Sequence, residues 1–175
     1  EMLRSLVGSE MCIRDSSNTS PACVVLEAAV RDGDVVRAAD VNATTFPDAA
    51  RSYLADGTGL GWCVPERVRE SARFVIDAEI VAPVRASLVR RFGVDDPVEF
   101  AGAWTRAEAL AKLADVPIIT WLSRHGLAVP ADVLEDAAVG RVAWRTEVRG
   151  DVVMTRAAAL SGAKPRDSGV VGGAL

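Results

Sequence analysis

The stretch PERVRESARFVIDAEIVAPVRASLVRRFG, residues 65–93, decides the fold. Pro65 stands where a proline suits a helix start. Val68, Ala72, Ile76, Ile80, Val84, Leu88 and Phe92 recur at every fourth residue, and Val75 and Val81 widen the stripe. Arg67, Arg69, Glu70, Arg73, Asp77 and Glu79 occupy much of the remainder. Apolar residues on one side and charges on the other are the pattern of an amphipathic helix resting on a core. The spacing predicts a long helix here. Pro83 lacks an amide donor and crowds the preceding turn, so it should kink or split that helix. Gly93 should end it.

The neighbouring segments extend the helical reading. Downstream, Asp96-Pro97 begins another helix. Thr105-Arg106-Ala107-Glu108 has the form of a capping box, with hydroxyl and carboxylate satisfying free amides at a helix start. Ala109, Leu110, Leu113 and Ala114 would be the buried face of that helix. Pro117 begins a short helix carrying Ile118, Ile119, Trp121 and Leu122, ended by Gly126, and Pro130 begins one more to about Val139. Val142, Trp144, Thr146 and Val148 then alternate with Ala143, Arg145, Glu147 and Arg149, the only good period-two stretch. Arg149-Gly150-Asp151 would turn the chain, and residues 152–156 would return as a second strand.

Upstream, alanine content favours two short helices either side of Asp32-Gly33, with a hairpin turning at Asp-Gly as the rival reading. Pro47 opens a helix to Ala55, closed by Asp56-Gly57. The expected fold class is therefore mainly α: one small helical domain over residues 17–160 with a C-terminal β-hairpin. The glycine-rich residues 161–175 are expected to be a disordered tail.

Residues 1–16, EMLRSLVGSEMCIRDS, stand apart. Glu10 to Ser16 can be written GAG ATG TGT ATA AGA GAC AG plus one base, which resembles a transposase-recognition end from sequencing libraries. Leu6-Val7-Gly8-Ser9 fits the adjoining adapter segment in the same frame. This stretch resembles translated adapter DNA and is set aside from the reading of the fold. The resemblance implies that the remainder is the C-terminal part of a longer protein. No protein family is recognised in residues 17–175.

Outside residues 1–16 there are 18 basic and 21 acidic residues, a net charge of −3, and the cysteines are Cys23 and Cys63. Half the chain is apolar, which suits a globular domain. No apolar run reaches the ~18 residues that a bilayer span requires. Two cysteines without a spacing pattern fit neither a disulfide framework nor a zinc site. Interspersed charge, helical spacing and caps agree with one another, as they do in a foldable chain. Arginine greatly outnumbers lysine, since only Lys112 and Lys164 are lysines, which is the usage of a GC-rich genome.

Candidate chemistry is sparse. Gly57, Gly59 and Gly61 form Gly-x-Gly-x-Gly, whose amides could cradle an anion before a helix. Trp62 breaks the dinucleotide fingerprint, so a helix end and linker is the favoured reading. His125 is the single histidine, with Ser123 diverging from it on a helix, and it suits the negative end of the helix dipole better than a catalytic dyad. Cys63 precedes a helix start that could activate a thiol, although a buried, inert cysteine is commoner. The acidic groups Asp95-Asp96-Glu99, Asp77-Glu79 and Glu135-Asp136 suggest no metal site, the first being explained by its helix start. No cofactor is implied.

Two functional classes remain. The first is a helical subdomain of a larger bacterial cytoplasmic protein, whose partner is the missing N-terminal part, another protein or a second copy, and whose chemistry lies mainly upstream. The second is a winged-helix-like module over residues 105–156, presenting Arg141, Arg145, Arg149 and Arg156 to DNA or binding a protein partner. Residues 101–160 carry seven basic and seven acidic residues, and that balance argues against a nucleic-acid surface.

Overall fold

The computed structural model describes residues 21–64 and 66–161; the adapter-like residues 1–16 and the expected tail beyond 161 lie outside them. Residues 65–93 are not one helix. A single helical turn, α2 (Glu66–Arg69), is followed by a nine-residue strand, β4 (Ala72–Ile80), and a short helix, α3 (Ala86–Phe92). Gly93 ends α3 in a left-handed conformation, its amide bonded to the Val89 carbonyl, as the stop signal implied. The difference from the expected helix has a simple cause. A spacing of four is close to one helical turn, but it is also two full strand repeats. Ala72, Phe74, Ile76, Ala78 and Ile80 share one face of β4, while Arg73, Val75, Asp77 and Glu79 share the other. Phe74-Val75-Ile76 is moreover a run of strand-favouring residues.

The same correction applies upstream. Helix α1 (Pro21–Asp32) forms, but the expected second helix is the strand β1 (Asp34–Ala38). The helix expected from Pro47 is β2 (Ala49–Tyr53), and β3 (Gly59–Cys63) lies between β1 and β2 in an antiparallel sheet. A second antiparallel sheet has the order β4-β6-β5, with β5 (Val142–Arg149) and β6 (Val152–Leu160). The fold is mixed α/β, built on two three-stranded sheets, and the mainly helical expectation is overturned.

The expected hairpin does form, with Gly150 in a left-handed conformation at its turn. It is not an appendage. β6 is the central strand, and eight of its nine residues are buried. The long helix α4 (Pro97–Ala114) covers one face of this sheet, while α1 and the first sheet cover the other. A strand covered on both faces loses the alternation that advertises it, and Val152 to Leu160 reads as a nearly continuous apolar run.

Helix α4 merges two expected helices. Asp96 caps it, accepting a hydrogen bond from the Glu99 amide at 2.7 Å. Thr105 caps nothing. It is fully buried in mid-helix, and its hydroxyl lies 2.9 Å from that of Thr155 on β6. Helices α5 (Ile118–His125) and α6 (Ala131–Ala138) follow as their prolines and Gly126 implied.

The core has two parts, one on each face of the second sheet. Trp62, Leu60, Leu26, Ile76, Val152 and Met154 belong to the part shared with α1 and the first sheet. Trp62 meets Phe74 edge to face at 5.4 Å. Leu110, Leu113, Trp121, Val133 and Ala157 belong to the part beneath α4, α5 and α6.

Candidate carboxylate and lysine site

Strand β4 places Asp77 and Glu79 two residues apart on the face toward α4. Across the gap, Glu108 and Lys112 sit one turn apart on α4. A ligand oxygen from each of Asp77, Glu79 and Glu108 lies within 4.8 Å of the others. The Lys112 ammonium donates to Asp77 Oδ1 at 2.7 Å and lies 3.7 Å from Glu108 Oε1. Arg73 on the same strand donates to the carbonyls of Leu113 and Lys112, pinning the end of α4 against β4.

Asp77 carries the unusual chemistry. Its side chain is only 5% exposed. Oδ2 is buried and accepts no hydrogen bond among the described residues. Burial pushes the carboxyl up from 3.8 to about 7, with Glu108 and Glu79 adding to the rise and Lys112 opposing it. Glu79 is raised too, by burial first and then by Glu108. In register, Asp77 pairs with Thr155, whose hydroxyl also meets that of Thr146 at 2.8 Å. A polar layer thus runs between the sheet and α4 through an otherwise apolar contact.

The raised Asp77 carboxyl has a consequence for stability. Between pH 3.8 and about 7 the folded protein holds a proton that the unfolded chain has released. The unfolded state then binds fewer protons, so stability falls as pH rises through this window, by up to about 1.4 kcal/mol per pH unit. Urea denaturation at intervals from pH 4 to 8 should show that fall. Asp77→Asn should flatten it; an unchanged slope in the variant would assign the fall to another group.

The residues singled out from sequence lie elsewhere. Gly57 turns the β2–β3 hairpin at φ +84°, while Gly59 and Gly61 are inside the central strand β3. The glycine run is therefore neither a helix end nor an anion loop preceding a helix. A Cβ at Gly59 would stand 2.7 Å from that of Val41, which accounts for that glycine by close packing. Cys63 is free and exposed at the end of β3. His125 packs against Trp121 at 4.9 Å in the last turn of α5. The Ser123 hydroxyl donates to the Thr120 carbonyl of its own helix, so no dyad forms with His125.

The four arginines of the winged-helix reading do not make one surface. Arg156 is wholly buried. Its guanidinium donates to the carbonyls of Gly33 and Arg31, lies 3.2 Å from Glu147 and covers the Trp62 ring. Arg149 and Arg145 also face Glu147, and Arg141 pairs with Asp136. The Arg-Gly-Asp turn serves the fold: Asp151 accepts from Arg37 of β1 at 2.9 Å.

Comparison with protein-family models, curated proteins and solved structures finds no match. The site therefore stands on its geometry. Among the described residues, no helix is long and apolar enough to cross a membrane. The helical reading of residues 65–93 puts the Asp77-Glu79 pair on the solvent side of a helix, where the structure has it facing α4. The recoverable signal was the alternation of residues 72–80. Nothing local ties Asp77 to Glu108.

Proposed function

We propose that residues 21–161 form a part of a larger protein and that this part binds a hard divalent cation through Asp77, Glu79 and Glu108. The observation that carries the reading is the buried Asp77 Oδ2, which lacks a hydrogen-bond partner within a cluster of three carboxylates. Lys112 pairs with Oδ1 only, and a buried carboxylate oxygen is ordinarily hydrogen-bonded or bound to metal. Three oxygens within 4.8 Å of one another need only small side-chain shifts to converge on one cation at the Ca–O distance of about 2.4 Å, and a tighter convergence suits Mg²⁺ or Mn²⁺. An all-oxygen donor set favours these ions over zinc, which takes imidazole and thiolate.

Calorimetric titration of the full chain with Mn²⁺, Mg²⁺ and Ca²⁺ at pH 8 tests the proposal. One site is expected, weakening as pH falls below about 7 because a proton on Asp77 competes with the cation. Asp77→Asn and Glu108→Gln should each weaken binding by about tenfold or more. Equal binding by Asp77→Asn and the parent protein would overturn it.

A further inference from the structure

Lys112 occupies the ground a cation would need. Its ammonium contacts two of the three carboxylates in question, Asp77 at 2.7 Å and Glu108 at 3.7 Å. Among the described residues it also makes a long hydrogen bond to the Ile76 carbonyl, at 3.5 Å. The side chain is 37% exposed, unlike that of Asp77, and its flexible four-carbon stem leaves it a route to solvent. Its backbone is held independently, because the Lys112 carbonyl accepts from Arg73. The side chain can leave without disturbing the helix.

We infer that Lys112 is a tethered competitor for the divalent cation, filling the carboxylate cluster in the free protein and swinging into solvent when the cation enters. The inference rests on the cation-binding reading above. Charge gives the exchange a direction. Three ionised carboxylates with one ammonium leave two negative charges uncompensated; the same three with a divalent cation leave one. A monovalent ion replacing the ammonium gains nothing. The tether therefore also selects divalent over monovalent cations, by setting a charge threshold that Na⁺ or K⁺ cannot pass.

Mn²⁺ titration followed by electron paramagnetic resonance, at pH 8.5 where Asp77 is ionised, separates the possibilities. Lys112→Gln should bind Mn²⁺ about tenfold more tightly than the parent protein, which corresponds to about 1.4 kcal/mol of removed competition. Lys112→Arg, which keeps the charge, should bind no better than the parent. Lys112→Ala serves as a second charge-removing variant should the glutamine form fold poorly by circular dichroism. Unchanged or weaker binding by the charge-free variants, with the parent still binding, overturns the competitor role and leaves the cation site standing. Absence of Mn²⁺ binding by both parent and charge-free variants overturns the site and the competitor together.

Discussion

Arg156→Ala is expected to lower folding stability by about 3–5 kcal/mol, the cost of breaking a buried, hydrogen-bonded charge pair. Arg156 is wholly buried on the central strand β6, and it serves three structures at once. It closes the C-terminal end of α1 by donating to the Gly33 carbonyl at 2.6 Å and to the Arg31 carbonyl at 3.2 Å. A cation at that end also faces the negative pole of the helix. Its guanidinium lies 5.8 Å from the centroid of the Trp62 ring, so it packs against the first sheet. Its charge is answered by Glu147 at 3.2 Å on β5. Alanine would leave two carbonyls without this donor and open a cavity beside Trp62. Arg156→Lys should lose less, because it keeps the charge but not the planar fork that spans both carbonyls. Urea denaturation followed by circular dichroism measures all three proteins. If Arg156→Ala loses under 1 kcal/mol, the clamp between α1 and the sheet is not a stabilising feature.

Gly33→Ala is the second large effect, and it acts on the same junction. A Cβ at this position would stand 2.1 Å from Trp62 Nε1 and 2.9 Å from the Ala29 carbonyl. No side chain tolerates the first distance. The indole cannot yield cheaply, since Trp62 is fully buried and set against Phe74 and Arg156. Overpacking a well-filled core costs about 1–3 kcal/mol, and a clash with a fixed ring belongs at or above the top of that range. Gly102→Ala is the natural comparison. There a Cβ would meet Thr146 and Val153 at 3.6 and 3.9 Å, ordinary contact distances. In the middle of α4 it should be neutral or stabilising by about 0.5–1 kcal/mol. Denaturation midpoints of the two variants should move in opposite directions or differ widely. Equal midpoints would contradict the packing of Gly33 on Trp62.

Both variants probe a junction that no local reading of the chain suggested. The winged-helix alternative puts Arg156 on the surface of a basic hairpin, and no alternation in residues 152–156 argues for or against it. Its burial is imposed by the partners of β6, namely β4 and β5 on either side and helix or sheet above and below. Gly33 was legible as a break after α1, which it is, with its amide bonded to the Ala29 carbonyl. The ring pressed against it comes from β3, and local sequence carries no record of that contact. The candidate site follows the same rule. Asp77 and Glu79 share a face only if residues 72–80 form a strand, and Glu108 and Lys112 reach them only when α4 lies across that strand.

Local chemistry settled the punctuation of this protein. Proline marked the starts of α5 and α6, glycine marked the ends of α5 and α3, Asp96 capped α4, and Gly150 turned the last hairpin, because each of these depends on one or two backbone angles or a single nearby amide. Residues 65–93 show where such chemistry stops. Apolar residues at every fourth position satisfy a helix and a strand alike, since four is close to one helical turn and twice the strand repeat. The tie is broken by what lies alongside. β6 offers a hydrogen-bonding edge to residues 72–80, from Ala72 opposite Leu160 to Ile80 opposite Val152, and α4 and the first sheet bury the two faces so produced. A helix here could present one stripe to one neighbour; the strand buries residues on both sides between two layers. That gain belongs to the assembled layers, so only the tertiary structure decided it.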